Sequence, residues 1–429
     1  MVLTSRTAVL LALGVLPVAL VPSGAVIFWW LGVVFALVVT DALLAAPPRG
    51  VTVRRSVSGP VRQGEHAEST VEVKAGERRL RGIVRDAWEP SVGATRNRHR
   101  VDVAPGRRTR VVTALRPRRR GERRAAEVTV RSIGPLGLAG RQASLAAPAT
   151  VRVLPSFSSR RHLPSRLARL REMDGNTAVQ VRGQGTEFDS LREYVIGDDV
   201  RAIDWRATAR RGEVLVRTWR PERDRQVLLV CDTARLSAVR LGEAPRLDAQ
   251  IETGLLLGAL AARAGDRVSM IAVDSAVRAR VAASTGSNVL PALADALAPL
   301  EPALREPDWT AVVAEVRARL PHRALVVLLT AVEPSGIGSG MLPAVASLAR
   351  DHVVLLASAV DPQVLSLRDE RGSAREVYDA AAAERDGLER ENLALMLRRS
   401  GATVVEAGPE ELPPAVADTY LAMKAAGRL

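Results

Sequence analysis

At 429 residues the chain is too long for one ordinary domain, and two or three compact units are expected. Its 47% apolar content is enough to build buried cores, which excludes wholesale disorder. A single cysteine, Cys231, excludes a disulfide scaffold and a paired-cysteine zinc site. The basic residues include only two lysines, Lys74 and Lys424, and neither follows a glycine-rich run, so the sequence holds no Walker A phosphate loop.

Residues 7–46 carry one charge, Asp41. Thr7–Val21 and Ala25–Ala46 are apolar runs separated by Pro22, Ser23 and Gly24. Each is close to the roughly 20 residues that cross a bilayer. A signal peptide would leave one apolar core and a small-residue cleavage site. Here a second run follows at once, with Trp29 and Trp30 near its start, where aromatic belts sit. The pattern predicts a transmembrane helical hairpin over residues 1–48, with Asp41 at the membrane interface. Arg6 precedes the first apolar run, and Arg49, Arg54 and Arg55 follow the second. The positive-inside rule then predicts two spans in the inner membrane with both termini cytoplasmic. A signal peptide followed by an anchor would instead put the bulk of the chain outside.

Residues 49–155 read as a basic domain of short strands. Apolar residues alternate with charged ones at 51–53, 70–73, 83–88, 101–103, 109–112, 128–130 and 151–153. Such spacing predicts an antiparallel, sandwich-like fold. Residues 51–125 hold 20 Lys and Arg against 8 Asp and Glu, most densely at Arg116–Arg124. Each arginine near an anionic leaflet gains about 1 kcal/mol, so the basic surface is expected to face membrane lipid or to be a solvated face. Nucleic-acid binding through Arg116–Arg124 is the weaker alternative, because no recognition motif accompanies the run.

Residues 156–222 read as a linker and a dense motif. It begins Glu187-Phe188-Asp189, continues through Arg192 and Tyr194, and centres on Gly197-Asp198-Asp199-Val-Arg201-Ala-Ile-Asp204-Trp205. It closes on Ala-Arg-Arg-Gly-Glu-Val-Leu-Val-Arg217. Acids, arginines and aromatics in this mixture suit a paired, hydrogen-bonded network that pins a loop onto a neighbouring domain. The catalytic alternative uses two of the acids as general acid and base or as metal ligands, although no histidine lies near.

Residues 223–429 alternate strand and helix. Strands are expected at 227–231, 268–273, 277–281, 324–329, 352–357 and 402–405. Helices are expected at 247–264, 289–300, 311–320, 376–399 and 412–426. The alternation predicts a doubly wound α/β sheet. Cys231 inside the first strand is expected as a buried small side chain.

The central motif resembles the signature of the "domain of unknown function 58" family, which runs Glu-Phe-x-x-Leu-Arg-x-Tyr, then Gly-Asp-Asp-x-Arg-x-Ile-Asp-Trp, then Ala-x-x-Gly-x-Leu-x-Val-Arg. Gly134-Pro-Leu-Gly-Leu138 resembles that family's Asp-Pro-Phe-Gly-Leu segment, with Gly134 and Leu136 departing from it. The C-terminal domain resembles a von Willebrand factor A domain, whose metal site places Asp-x-Ser-x-Ser after the first strand. Here the sequence is Asp232-Thr-Ala-Arg-Leu236, so Ala234 and Leu236 replace both serines. Thr330-Ala331 stands where a second Asp belongs, and Thr310 matches the loop threonine. Methyl-bearing side chains offer no hard oxygen for Mg²⁺. Thr233, Ser237 and Glu333 carry oxygen nearby, but no spacing among them demands a site. No cofactor and no bound metal are therefore expected. Members of the resembling family often occur beside MoxR-type AAA+ ATPases. The resemblance therefore implies a non-enzymatic, membrane-tethered adaptor for such an ATPase in chaperone-like or envelope assembly.

Overall fold

A computed structural model describes residues 1–21, 23–177, 187–195, 198–220, 225–334, 340–369 and 372–429. Contacts group the chain into two units, Met1–Ser156 and Phe157–Leu429.

The first unit opens with β1 (Val2–Leu3), α1 (Ser5–Leu13), α2 (Val15–Leu20) and α3 (Gly24–Leu44). Among the described residues one helix, α3, is long and apolar enough to cross a membrane, and Ser5–Leu20 forms a shorter apolar helix. The two lie close where Gly14 meets Trp30; a Cβ at Gly14 would fall 2.4 Å from the indole. Val34, Val38 and Ala42 of α3 form a small cluster with Leu138 and Ala139, against which Leu10 and Trp30 pack. Away from this seam, Val9, Val15, Leu16, Phe28, Trp29 and Phe35 are exposed. Exposed apolar surface of this kind asks for an apolar solvent or partner.

The strands that follow are β2 (Thr52–Val57), β3 (Val61–Arg62), β4 (Ala67–Lys74), β5 (Leu80–Asp86), β6 (Arg98–Val103), β7 (Arg108–Leu115), β8 (Gly121–Ile133) and β9 (Ala139–Leu154). One sheet runs β1-β9-β8-β5-β6, with β3 also on β9, and the other runs β2-β4-β7. All pairings are antiparallel except β3 with β9. Period-two alternation turns Val71 and Val73 of β4 inward while Glu68, Glu72 and Lys74 stay less buried. The inward residues of both sheets form a main core that includes Leu80, Val84, Val101, Val103, Val128 and Val130, and a smaller one with Val61, Ala67, Leu115, Val151 and Val153. Each of the seven expected alternating stretches falls within or overlaps one of β2 and β4–β9. The sequence pointed only to the end of β9, because its first dozen residues mix alanine with polar groups.

Two charged residues behave differently from their expected roles. Arg55, read as a juxtamembrane charge, is buried with Asp86 at 2.7 Å, both side chains 0% exposed. Asp86 also accepts the Trp88 indole N–H at 3.0 Å, and the guanidinium lies 5.3 Å from that ring. Since Arg55 is on β2 and Asp86 on β5, this pair joins the two sheets. Asp41, expected at the interface, is fully buried. It accepts the backbone N–H groups of Leu136 and Leu138 at 2.7 Å and of Ala139 at 2.8 Å. A Cβ at Gly134 would fall 2.3 Å from an Asp41 carboxylate oxygen, so only glycine fits there. The Arg116–Arg124 run does not form one solvent-facing strip: Arg120 is buried, and Arg116 donates to the Gly64 carbonyl at 3.0 Å.

The second unit comprises α4 (Leu163–Thr177), β10 (Glu187–Glu193), α5 (Trp205–Arg211), β11 (Leu215–Arg220), β12 (Gln226–Asp232), β13 (Arg240–Leu241), β14 (Ala244–Pro245), α6 (Arg246–Arg263), β15 (Arg267–Val273), β16 (Val277–Ser284), α7 (Val289–Leu297), α8 (Trp309–Arg319), β17 (Leu325–Leu329), α9 (Met341–Asp351), β18 (Val353–Ala359), α10 (Pro362–Leu367), α11 (Ala374–Arg399), β19 (Ala402–Ala407) and α12 (Leu412–Ala425). The main sheet has the order β16-β15-β12-β17-β18-β19, with β16 antiparallel and the rest parallel. Val227, Leu229 and Cys231 of β12 enter one core with α6, α7 and α12. Leu228 and Val230 enter a second core with α8, α9 and α11. A continuous apolar strand is thus split by its own alternation between two helical layers. The helix α9 was missed in sequence, although Met341, Ala344, Val345 and Leu348 are its buried face.

At the amino edge of this sheet, Lys424 of α12 pairs with Asp266 at 2.7 Å, with side chains 9% and 1% exposed. The Tyr420 hydroxyl donates to the other Asp266 oxygen. Lys424→Met would leave a buried carboxylate without its cation, at a cost of about 3–5 kcal/mol. The expected result is a clear fall in the thermal midpoint of this unit, measured on the detergent-solubilised chain.

Candidate functional site

Open α/β sheets bind ligands beyond the carboxyl ends of their strands, where the strand order reverses. In this sheet that place lies between β12, the first strand of the sheet in sequence, and β17. A small cleft opens there, lined by Asp232, Ala234, Leu236, Trp309, Thr330 and Met341, among others. Register explains the pairing at its floor. Cys231 lies opposite Leu329 on adjacent parallel strands, so the next residues, Asp232 and Thr330, emerge side by side.

Asp232 is 3% exposed, and both its oxygens are engaged by the chain itself. The Thr330 hydroxyl donates to Oδ2 at 2.5 Å, and the Ala234 N–H donates to Oδ1 at 2.8 Å. The other oxygen-bearing side chains of the expected degenerate site are also engaged. Ser237 donates to the Asp232 carbonyl at 2.7 Å, and Thr233 donates to the Val273 carbonyl at 3.1 Å. Glu333 accepts from Arg246 at 2.7 Å, and that arginine also donates to the carbonyls of Leu236 and Ala359. Thr310 is exposed in the first turn of α8, and Trp309 lines the cleft instead. Among the described residues, no group of three or more His, Cys, Asp or Glu is placed to hold a metal ion. The sequence reading missed Thr330 as a partner because it looked for an aspartate there. The register of β12 and β17 was the available signal.

Burial is the main cause raising the Asp232 carboxyl above its ordinary range, and the nearby charges of Asp274 and Glu306 add to it; the bonds from Thr330 and Ala234 oppose the rise. Burial pushes Asp274 in the same direction, but Arg278 at 2.5 Å and the Ala276 amide hold it below its ordinary value.

The signature motif folds as a separate hairpin. β10 and β11 pair antiparallel, with α5 in the connection. Glu187, Phe188 and Asp189 lie on β10 by backbone. Gly197 lies outside the described residues. Arg192 bonds Asp198 at 2.5 Å, and the other Asp198 oxygen accepts the Val195 amide at 2.9 Å. Asp199 accepts the Arg201 amide at 2.9 Å, which starts a short 3-10 turn. Asp204 caps α5 through the amides of Arg206 and Ala207 at 3.0 Å and pairs with Arg217 of β11 at 2.8 Å. The Ala207 amide first, and Arg217 next, hold its carboxyl below the ordinary range. α5 ends at Gly212, whose φ of +78° is a left-handed stop that favours glycine. Tyr194 is half-buried and joins Val214 through its amide at 2.8 Å. Trp205 is 67% exposed, and Val195, Val200, Arg201, Arg206, Arg210 and Arg211 are exposed beside it. Asp198 and Asp204 each pair with an arginine, and both pairs lie within the hairpin itself.

The family described as protein of unknown function DUF58 matches residues 190–398, from within the signature hairpin to α11. Uncharacterized proteins of Mycobacterium bovis and Mycobacterium tuberculosis are 27% identical over 199 residues, which is 46% of this chain. The match spans 62% of the length of those curated relatives. The conserved hypothetical protein BatB of Bacteroides thetaiotaomicron covers 47% of this chain and 99% of its own, at 12% identity and a TM-score of 0.30. The CARDB domain of a Pyrococcus furiosus protein covers 24% of this chain and 87% of its own, at 19% identity and a TM-score of 0.19. Structural overlap at this level carries no argument about fold or function.

Two outcomes are expected. A carboxyl whose folded value is raised stabilises the fold at low pH, and that contribution is lost as pH rises from the unfolded carboxylate value of about 4 through the folded one. Asp232→Asn keeps the hydrogen-bonding shape without the charge. Its stability relative to the native chain should therefore grow as pH rises from 4 to 7 in paired denaturation curves. For the hairpin, Asp204→Asn retains an N-cap but weakens the Arg217 pair, while Asp204→Ala removes both. Hydrogen exchange at the amides of Arg206 and Ala207 should quicken in the order native, Asn, Ala.

Proposed function

We propose that this protein is a membrane-anchored, non-enzymatic cytoplasmic adaptor. It presents a von Willebrand factor A-like module to a protein partner, a MoxR-type AAA+ ATPase, in chaperone-like or envelope assembly. The observation that carries the reading is the Asp232–Thr330 bond. At the sheet edge where this class of fold receives ligands, the buried Asp232 spends both oxygens on its own chain, its buried neighbour Asp274 is held by Arg278 and the Ala276 amide, and Ala234 and Leu236 add only hydrocarbon. What that edge then offers is a shaped rim suited to a protein surface.

Anchoring is supported by α3 and by its exposed apolar side chains. A returning hairpin is supported by one junction: Thr4 and Thr7, at the start of the first helix, and Asp41, near the end of α3, all bond the segment Leu136–Ala139. The two helix ends meet at this junction, and the basic flanks of the hairpin support a cytoplasmic side for it. The exposed Trp205 and its surrounding arginines give the signature hairpin the composition of an interaction hot spot. The pairing with an ATPase comes from the family resemblance of the signature.

Crosslinking in native membranes, followed by identification of the captured proteins, tests the reading. An AAA+ ATPase should be recovered with the native chain and lost with Asp198→Ala. Recovery of no ATPase, or digestion of the C-terminal unit by protease added outside intact cells, would overturn it.

A further inference from the structure

The geometry points to a second membrane contact besides the helices: the tip of the β8–β9 hairpin, Gly134–Leu138, enters the lipid interface with Pro135 and Leu136 against lipid. The inference rests on α3 spanning the bilayer.

Depth is the first argument. Asp41 lies three residues before the end of α3 at Leu44, so it sits about 4–5 Å inside the helix end at 1.5 Å per residue. The Leu136 and Leu138 amides are each 2.7 Å from its carboxylate, so the turn travels to whatever depth Asp41 takes. Leu43 and Leu44, further along α3, are still more than half exposed and apolar. The first polar marker beyond them is Arg78, which donates to the Leu43 carbonyl at 2.7 Å. The tip therefore lies at or inside the level where the helix leaves hydrocarbon.

Backbone satisfaction is the second argument. Non-helical backbone is tolerated at membrane depth only when protein groups satisfy its polar atoms. Gly134 donates to the Ala139 carbonyl, and Gly137 donates to the Gly134 carbonyl. Pro135 has no N–H to satisfy. The amides of Leu136, Leu138 and Ala139 all go to Asp41. The carbonyls of Gly137 and Leu138 accept the hydroxyls of Thr4 and Thr7, and the Thr4 amide also reaches Leu138. Arg6, beside the Leu136 carbonyl at 3.5 Å, has the reach to carry its charge out to headgroups.

Composition is the third argument. Gly134-Pro-Leu-Gly-Leu138 is uncharged, whereas the β4–β5, β6–β7 and β7–β8 connections each carry arginine. Leu136 is 48% exposed, and Leu3, paired with Ala139 across β1 and β9, is 60% exposed. Two leucines displayed next to a spanning helix match a lipid surface better than water.

The test places single cysteines by Leu136→Cys, Phe35→Cys and Arg119→Cys in a full chain carrying Cys231→Ala. Each is labelled with an environment-sensitive fluorophore and reconstituted into phosphatidylcholine–phosphatidylglycerol vesicles. Quenchers are attached to the lipids at shallow or deep positions. The Phe35 probe should be blue-shifted and lose intensity to the deep quencher. The Leu136 probe should be blue-shifted and lose intensity to the shallow one. The Arg119 probe should respond to neither. A Leu136 probe that behaves like Arg119 while Phe35 is quenched overturns the inference and leaves the spanning helix intact. Failure of the Phe35 probe as well would remove the anchor itself, and this inference with it. Leu136 engages the fold through its amide and carbonyl, so the substitution preserves the turn.

Discussion

A carboxylate taken out of water costs several kcal/mol unless its oxygens find donors. Among the described residues five aspartates are withdrawn in that way, and all but Asp274 tie together segments far apart in sequence. Asp41 joins α3 to the β8–β9 turn. Asp86 joins β5 to Arg55 of β2. Asp232 joins the ends of β12 and β17. Asp266 joins the entry to β15 with α12. Apolar periodicity forms the layers, but these acids fix which layers meet and in what register. A hydrophobic contact tolerates sliding; a buried anion with two or three donors in fixed directions does not.

The same requirement separates structural from chemical acids. A general acid, base or metal ligand needs an oxygen left available to a substrate or ion. Asp232 stands where a ligand-binding sheet would place such a group, yet Thr330 and the Ala234 amide occupy it. In the signature hairpin, Asp198 and Asp204 each hold an arginine with one oxygen and backbone amides with the other. Their negative charge is spent on shaping a short hairpin whose outer face carries Trp205 and several arginines.

Local pattern made much of this fold legible. The alternation in 70–73 and 128–130 placed β4 and β8, and the continuous run Val227–Cys231 placed β12 with its two buried faces. What stayed hidden depended on distant partners. Arg55 sits in a basic sequence context, and nothing local says that it turns inward to Asp86, 31 residues away. Asp41 and Leu136 are 95 residues apart. The helix α9 was obscured because Met341, Ala344, Val345 and Leu348 span only three turns after a glycine- and serine-rich stretch. Thr330 needed the pairing register of two parallel strands, a quantity that composition does not carry.

The departure at Gly134 has a steric reason that joins several of these threads. The segment it resembles carries an aspartate at that position, but a Cβ there would fall 2.2–2.4 Å from the backbone and carboxylate of Asp41. The turn still receives a carboxylate, delivered from α3 rather than from its own first residue. An aspartate within the turn would satisfy the same kind of amides locally and leave the helix free to slide past the sheet. An aspartate on the helix makes the two inseparable, because moving α3 along its axis would strip three buried amides of their acceptor at once. The helix α3 and the β sheets of the first unit are therefore coupled as one body, by Asp41 together with the packing of Val34, Val38 and Ala42 on Leu138 and Ala139 and the Arg78 bond to the Leu43 carbonyl.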